Sequence, residues 1–135
     1  MNILFIDDDK APIRYYLEEL ADGGFDVTHC RNPDAALCLL KEKGCIFRLI
    51  ILDSAMPPGQ RYVHADTEAG LTTGSFLFAD IRALCPVTPI IILTNFVDLE
   101  WIVRARGYTN VREFRKLDLM PLELVEIVRN MTSTQ

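Results

Sequence analysis

The chain has 135 residues, half of them apolar and about a quarter charged, a composition that fits one globular domain with one sizeable core and leaves little room for a second. Fourteen Lys and Arg against nineteen Asp and Glu give a net charge of −5, which excludes any overall electrostatic attraction to nucleic acid or anionic lipid. No apolar run approaches the roughly 20 residues that span a bilayer, and the apolar start runs at once into Asp7-Asp8-Asp9 without a basic segment, so neither a membrane span nor a secretory leader is expected.

Short runs rich in Ile, Val and Phe alternate with segments of helical period. The run at 2–6 is a strand, and 12–20 is a helix with Pro12 in its first turn, Ile13, Leu17 and Leu20 on one face and Gly23-Gly24 past its end. A strand at 25–29 leads to Asn32-Pro33, a cap followed by proline at the first helical position, and to a helix ending before Gly44. A third strand covers 48–52. Leu77, Ile81 and Leu84 mark a third helix, and 89–93 is a compact apolar strand covered on both faces. Leu99, Ile102 and Val103 mark a fourth helix stopped at Gly107. A last strand at about 110–115 precedes a helix in which Leu124, Val125 and Val128 share a face.

Five strands alternating with five helices imply a doubly wound parallel sheet with helices on both sides, a three-layer α/β/α sandwich. The chain is read as a single domain over 1–135 with no output domain. Its one irregularity is 57–73, a Pro-, Gly- and Thr-rich loop of a length uncommon in compact domains and often functional or disordered, although long surface insertions cost little and a tolerated insertion is the favoured reading. The cysteines at 30, 38, 45 and 85 show no CxxC spacing and are expected to be reduced thiols, with neither a zinc site nor a disulfide framework. Together these features place the protein in the cytoplasm.

In an open parallel sheet, ligands bind beyond the carboxyl ends of the strands. Four strands here end on polar groups: the first on Asp7-Asp8-Asp9, the third on Asp53, the fourth on Thr94-Asn95, and the fifth near Lys116. Any one of them alone could be a turn residue, a helix cap or a solvated charge. Brought together, several carboxylates repel one another unless a cation sits among them, and a hard divalent ion such as Mg²⁺ or Mn²⁺ suits an acidic pair plus one further aspartate. Asp53 could then serve as a phosphoryl-accepting nucleophile, with Thr94 donating to one phosphoryl oxygen and the Lys116 ammonium facing another.

The stretches Ile3-Leu4-Phe5-Ile6-Asp7-Asp8-Asp9-Lys10-Ala11-Pro12, Leu49-Ile50-Ile51-Leu52-Asp53-Ser54-Ala55-Met56-Pro57 and Ile90-Ile91-Ile92-Leu93-Thr94, with Lys116 standing 22 residues beyond Thr94 (116 − 94), resemble the receiver domain of bacterial two-component response regulators along nearly the whole chain. The resemblance implies a flavodoxin-like, CheY-like (βα)5 fold. It implies Asp53 as phosphoacceptor, Asp7, Asp8, Asp53 and the backbone carbonyl of Ala55 as metal ligands, and Thr94 and Lys116 as phosphoryl-binding and switch residues. It further implies a histidine kinase or phosphotransfer protein as donor, a downstream protein effector, and self-modification rather than turnover of an outside substrate. A homodimer formed by the last helices is one way such a chain could act.

Several positions depart from the family pattern. The 57–73 loop delays the third helix, and lies close enough to Asp53 to serve as a lid or docking site. Asn95 stands where a smaller residue is usual and would narrow access to the phosphoryl group. Leu117 replaces a common proline, and Glu113 an aromatic, so the usual threonine–aromatic switch is not expected in its ordinary form. Phe114 is read as core, with Trp101 a second aromatic nearby. Two other readings stay open: a degenerate receiver that serves only as a protein-interaction module, and a hydrolase of the haloacid-dehalogenase type. The second would make Asp7 the nucleophile of an Asp-x-Asp motif, with Thr94 and Lys116 as later motifs and only Asp118 near the position of the last.

Overall fold

A computed structural model describes residues 2–8, 10–95 and 110–133, with the backbone alone for 10–12. Strands β1 (Asn2–Ile6), β2 (Asp26–Cys30), β3 (Leu49–Leu52), β4 (Ile90–Thr94) and β5 (Val111–Arg115) form one sheet in the order β2-β1-β3-β4-β5, every neighbouring pair parallel. The described helices are α1 (Lys10–Asp22), α2 (Pro33–Lys43), α3 (Thr73–Leu84) and α4 (Pro121–Thr132), with a 3₁₀ turn at Lys116–Asp118. Leu99, Ile102, Val103 and Gly107, read from sequence as a further helix, lie outside the described residues, as does Trp101.

The central strands are apolar throughout because both faces of the sheet are covered, and the period of two sorts their side chains into two cores. Leu4, Ile6, Ile50, Leu52, Ile90 and Ile92 pack with Ala36, Leu37 and Leu40 of α2 and Leu77, Phe78 and Ile81 of α3. Ile3, Phe5, Leu49, Ile51, Ile91 and Leu93 pack on the other face with Ile13, Tyr16 and Leu20 of α1 and Leu124, Val125 and Val128 of α4. Each fully buried Leu or Ile contributes on the order of 1.5–3 kcal/mol of transfer free energy, so the two faces hold the layers together without any special device. The expected cap is in place: the Asn32 side chain accepts the Ala35 N–H at 2.8 Å, with Pro33 opening α2. Phe114 is half-buried against the second core, with the Arg112 guanidinium 4.9 Å from its ring centre.

The long loop is tied down. Its base closes where Met56 N–H donates to Gly70 O at 3.0 Å, with Gly70 at φ +91° and a carbonyl so close that a Cβ would meet it at 2.9 Å. Between these points both carboxylate oxygens of Asp34, in the first turn of α2, accept backbone N–H groups, from Gln60 at 2.8 Å and Arg61 at 2.9 Å. Tyr62 is buried, donates its hydroxyl to Asp80 of α3, and sets its ring 5.8 Å from that of Phe76. These anchors fix the middle of the loop on α2 and α3.

One expectation is overturned. Cys45 and Cys85 are joined in a disulfide, their Cα atoms 5.7 Å apart, while Cys30 is buried and free and Cys38 is free on the exposed side of α2. Sequence spacing could not show the pair, because it is 40 residues long and closes only when the connections entering β3 and β4 lie side by side at the amino ends of the strands. The reduced-thiol argument for a cytoplasmic location falls with it. Among the described residues, no helix is long and apolar enough to cross a membrane.

Candidate functional site

The register of the sheet assembles the site. Ile6 pairs with Leu52, and the next residues continue the alignment, Asp53 N–H donating to Ile6 O and Asp7 N–H to Cys30 O, each at 3.0 Å. Asp7 and Asp53 therefore stand side by side just past the ends of β1 and β3, with 0% and 4% exposure. Asp8 follows Asp7 and is exposed. One oxygen from each of Asp7, Asp8 and Asp53 lies within 4.8 Å of the others.

Lys116 begins the 3₁₀ turn directly after β5, two strand spacings or roughly 10 Å from β3, a gap that needs a long side chain. Its Nζ reaches Asp7 Oδ2 at 2.7 Å and Asp53 Oδ2 at 3.2 Å, with the side chain only 8% exposed. Burial pulls its pKa down, but the hydrogen bond to Asp7 and the charges of Asp53 and Asp7 outweigh that and hold the ammonium above its ordinary range. Three carboxylates against one ammonium leave a formal excess of negative charge, and an all-oxygen donor set of this kind suits a hard dication such as Mg²⁺.

The other predicted residues fall around this centre. Ala55 N–H donates to Asp53 Oδ1 at 3.3 Å, so the chain turns back over the carboxylate it has just presented. Thr94 ends β4, is 3% exposed, and shares a 2.7 Å hydrogen bond with Ser54 Oγ. Asn95, next to it, is exposed. Glu113 is half-buried opposite Ile92, and Leu117 is exposed.

Four residues at the site escaped the sequence reading. Ser54 was recoverable in principle, since Leu52 pairs with Ile92 and a step of two along each strand brings Ser54 level with Thr94. Gly74 packs α3 against the segment that follows β3: its N–H donates to Ser54 O at 2.8 Å, and a Cβ there would overlap Asp53 O. The Tyr16 hydroxyl divides its proton between the Lys116 and Leu119 carbonyls, at 2.8 and 2.7 Å, and burial pushes its phenol up. His29 donates Nε2–H to the Asp7 carbonyl at 2.6 Å. Neither of these last two carries any local mark of its role.

A doubly wound parallel sheet of this strand order is the fold of response-regulator receiver domains of the CheY-like type. A receiver domain from Clostridium thermocellum is similar to this chain at 22% identity and a TM-score of 0.77, over 98% of this chain and 94% of that one. A CheY-like receiver domain protein from Methanospirillum hungatei gives 21% identity and a TM-score of 0.79 over 98% and 94%, and the receiver domain of NtrX from Brucella abortus gives 19% and 0.75 over 98% and 99%. No protein-family model and no curated protein matches the sequence.

Proposed function

We propose that the protein is a phosphoacceptor in two-component signalling, taking a phosphoryl group on Asp53 from a histidine kinase or phosphotransfer protein and passing the resulting change to a protein effector. The observation that carries this reading is Lys116 Nζ held between the buried carboxylates of Asp7 and Asp53 at the carboxyl edge of the sheet. A structural ion pair would need only one of these carboxylates. An ammonium shared between two, with a third beside them, leaves an excess of negative charge that calls for a divalent cation, and that cation together with Lys116 would neutralise the charge of an incoming phosphoryl group.

A carboxylate oxygen of Asp53 attacks phosphorus, an acyl phosphate bond forms, and the bond to the donor nitrogen breaks with its electron pair leaving on the donor imidazole. Asp7 and Asp8, with Asp53 and the Ala55 carbonyl, would hold Mg²⁺ or Mn²⁺, which when bound neutralises charge on the phosphoryl oxygens. Lys116 turns its ammonium from Asp53 to one phosphoryl oxygen, and Thr94 offers its hydroxyl to another. Exposed Asn95 flanks the approach. The chain acts on itself rather than on an outside substrate, and a cytoplasmic location goes with a kinase donor.

Incubation with acetyl phosphate and Mg²⁺ tests this, with intact mass as the readout. Wild type gains one phosphoryl group and loses that gain in excess chelator, while Asp53→Asn gains none. No gain in wild type would leave a protein-interaction module, and steady phosphate release by Asp53→Asn would move the nucleophile to Asp7.

A further inference from the structure

His29 is half-buried on β2, level with Phe5 of β1, and its ring stands edge-on to the Phe5 ring, with centroids 6.3 Å apart and planes at 82°. From there its Nε2 lies 2.6 Å from the Asp7 carbonyl oxygen. A carbonyl can only accept, so the hydrogen of this bond is on Nε2, whether the ring is neutral or protonated. On the other side of the residue, Asp7 N–H donates to Cys30 O at 3.0 Å. β2 ends at Cys30, and by Asn32, the cap of α2, the chain has left the sheet. Where a further rung of the parallel ladder would have met the Asp7 carbonyl, a side chain does so. Two successive residues of β2 thus grip both main-chain polar groups of Asp7.

The gripped carbonyl belongs to the peptide that joins Asp7 to Asp8. That unit is planar, so fixing its C=O fixes the plane that contains the Asp8 Cα. Asp8 itself is exposed and lies beyond the last residue of β1. Resting on the reading of Asp7, Asp8 and Asp53 as metal ligands, we propose that His29 is a positioning residue for the acidic pair: through the Asp7 carbonyl it sets the Asp7–Asp8 peptide so that both carboxylates meet Asp53 around one divalent cation. The bond acts on the main chain and adds to whatever contacts the carboxylates themselves make. Groups that orient metal ligands from outside act chiefly on metal affinity, and His29 acts through one intervening peptide, so the effect belongs at or below the low end of the usual range, roughly three- to tenfold.

Calorimetric titration with Mg²⁺ alone, on wild type, His29→Phe and His29→Gln, tests this. Phenylalanine keeps a ring against Phe5 and removes the donor, whereas glutamine brings an amide N–H close to where Nε2 stood. The Kd for Mg²⁺ is expected to rise roughly three- to tenfold in His29→Phe and to return to within about twofold of wild type in His29→Gln. An unchanged Kd in His29→Phe, or binding by His29→Gln as weak as that of His29→Phe, would overturn the proposal. If wild type takes up no Mg²⁺, the reading of the metal ligands fails, and the metal-free protein decides the role of His29 by itself. There the backbone ¹⁵N order parameter of Asp8 is expected near the rigid value of about 0.85 in wild type and His29→Gln and lower in His29→Phe. Equal values in all three refute a positioning role. Urea unfolding reports whether each variant folds, and should His29→Phe not fold, His29→Asn, whose shorter amide falls short of the carbonyl, takes its place in both measurements.

Discussion

Lys116 sits where burial and charge oppose one another, and the sign of the outcome makes a prediction. Desolvation disfavours its ammonium, but the bond to Asp7 and the nearby charge of Asp53 raise its folded pKa above the ordinary lysine value of about 10.4. A group raised in this way contributes stability that is fully present below its unfolded pKa and is lost as pH rises through the folded one. Lys116→Met, which keeps the length and removes the charge, leaves Asp7 and Asp53 buried together and should cost about 3–5 kcal/mol near neutral pH without added metal. Urea unfolding of both proteins at pH 8 and at pH 11 checks this: the gap between them is expected to shrink at the higher pH. A gap that does not change with pH would mean that the charge of Lys116 is not what stabilises the fold. At this scale the aspartates and Thr94 were legible because each follows an apolar run, and Lys116 by its place after the last strand, 22 residues beyond Thr94 (116 − 94), whereas Tyr16 and His29 act through backbone carbonyls that no local pattern reveals.

The elements were legible for the same reason that the core is simple: strands buried on both faces read as unbroken apolar runs, and Asn32-Pro33 or Gly23-Gly24 mark where helices begin and end. The 57–73 insertion was legible as an insertion by its length and its Pro, Gly and Thr content, but not in its anchoring. Tyr62 looks like any tyrosine in a polar stretch until α3 supplies Asp80 and Phe76. The exposed Arg61–Asp80 pair adds little, so burial of the Tyr62 ring should dominate the attachment. Tyr62→Ala is expected to cost about 3 kcal/mol locally and to make 57–72 the first site of cleavage in limited proteolysis, ahead of any cut in the sheet. Asp34→Ala, which strands two backbone N–H groups that water can reach, should have a smaller effect of about 1 kcal/mol. Equal resistance of wild type and Tyr62→Ala to protease would place the attachment elsewhere. Because the anchors lie on α2 and α3, uptake of phosphate by Asp53 is expected to survive both changes.

Across the whole molecule, the sheet separates two jobs. Its carboxyl edge carries Asp7, Asp53, Thr94 and Lys116, and its amino edge carries the Cys45–Cys85 bridge, at the far ends of β3 and β4. Four residues of β3 at about 3.3 Å each, with the flanking turns, keep the bridge more than about 13 Å from the carboxylates. The bridge closes 40 residues of chain, for which the chain-entropy account gives about 4 kcal/mol, the strain-free upper end of the usual range. That loop contains β3, the 57–73 insertion and α3, so its closure limits how far β3 and the insertion can part in the unfolded chain. Reduction, or Cys45→Ser with Cys85→Ser, should therefore lower the unfolding free energy by about 2–4 kcal/mol while leaving the rate of phosphoryl uptake from acetyl phosphate unchanged. Matched denaturant titrations of oxidised and reduced protein, paired with the phosphorylation assay, separate the two jobs. Loss of uptake on reduction would show that the amino edge reaches the site through β3, and an unchanged midpoint would show that the bridge does not constrain the unfolded chain.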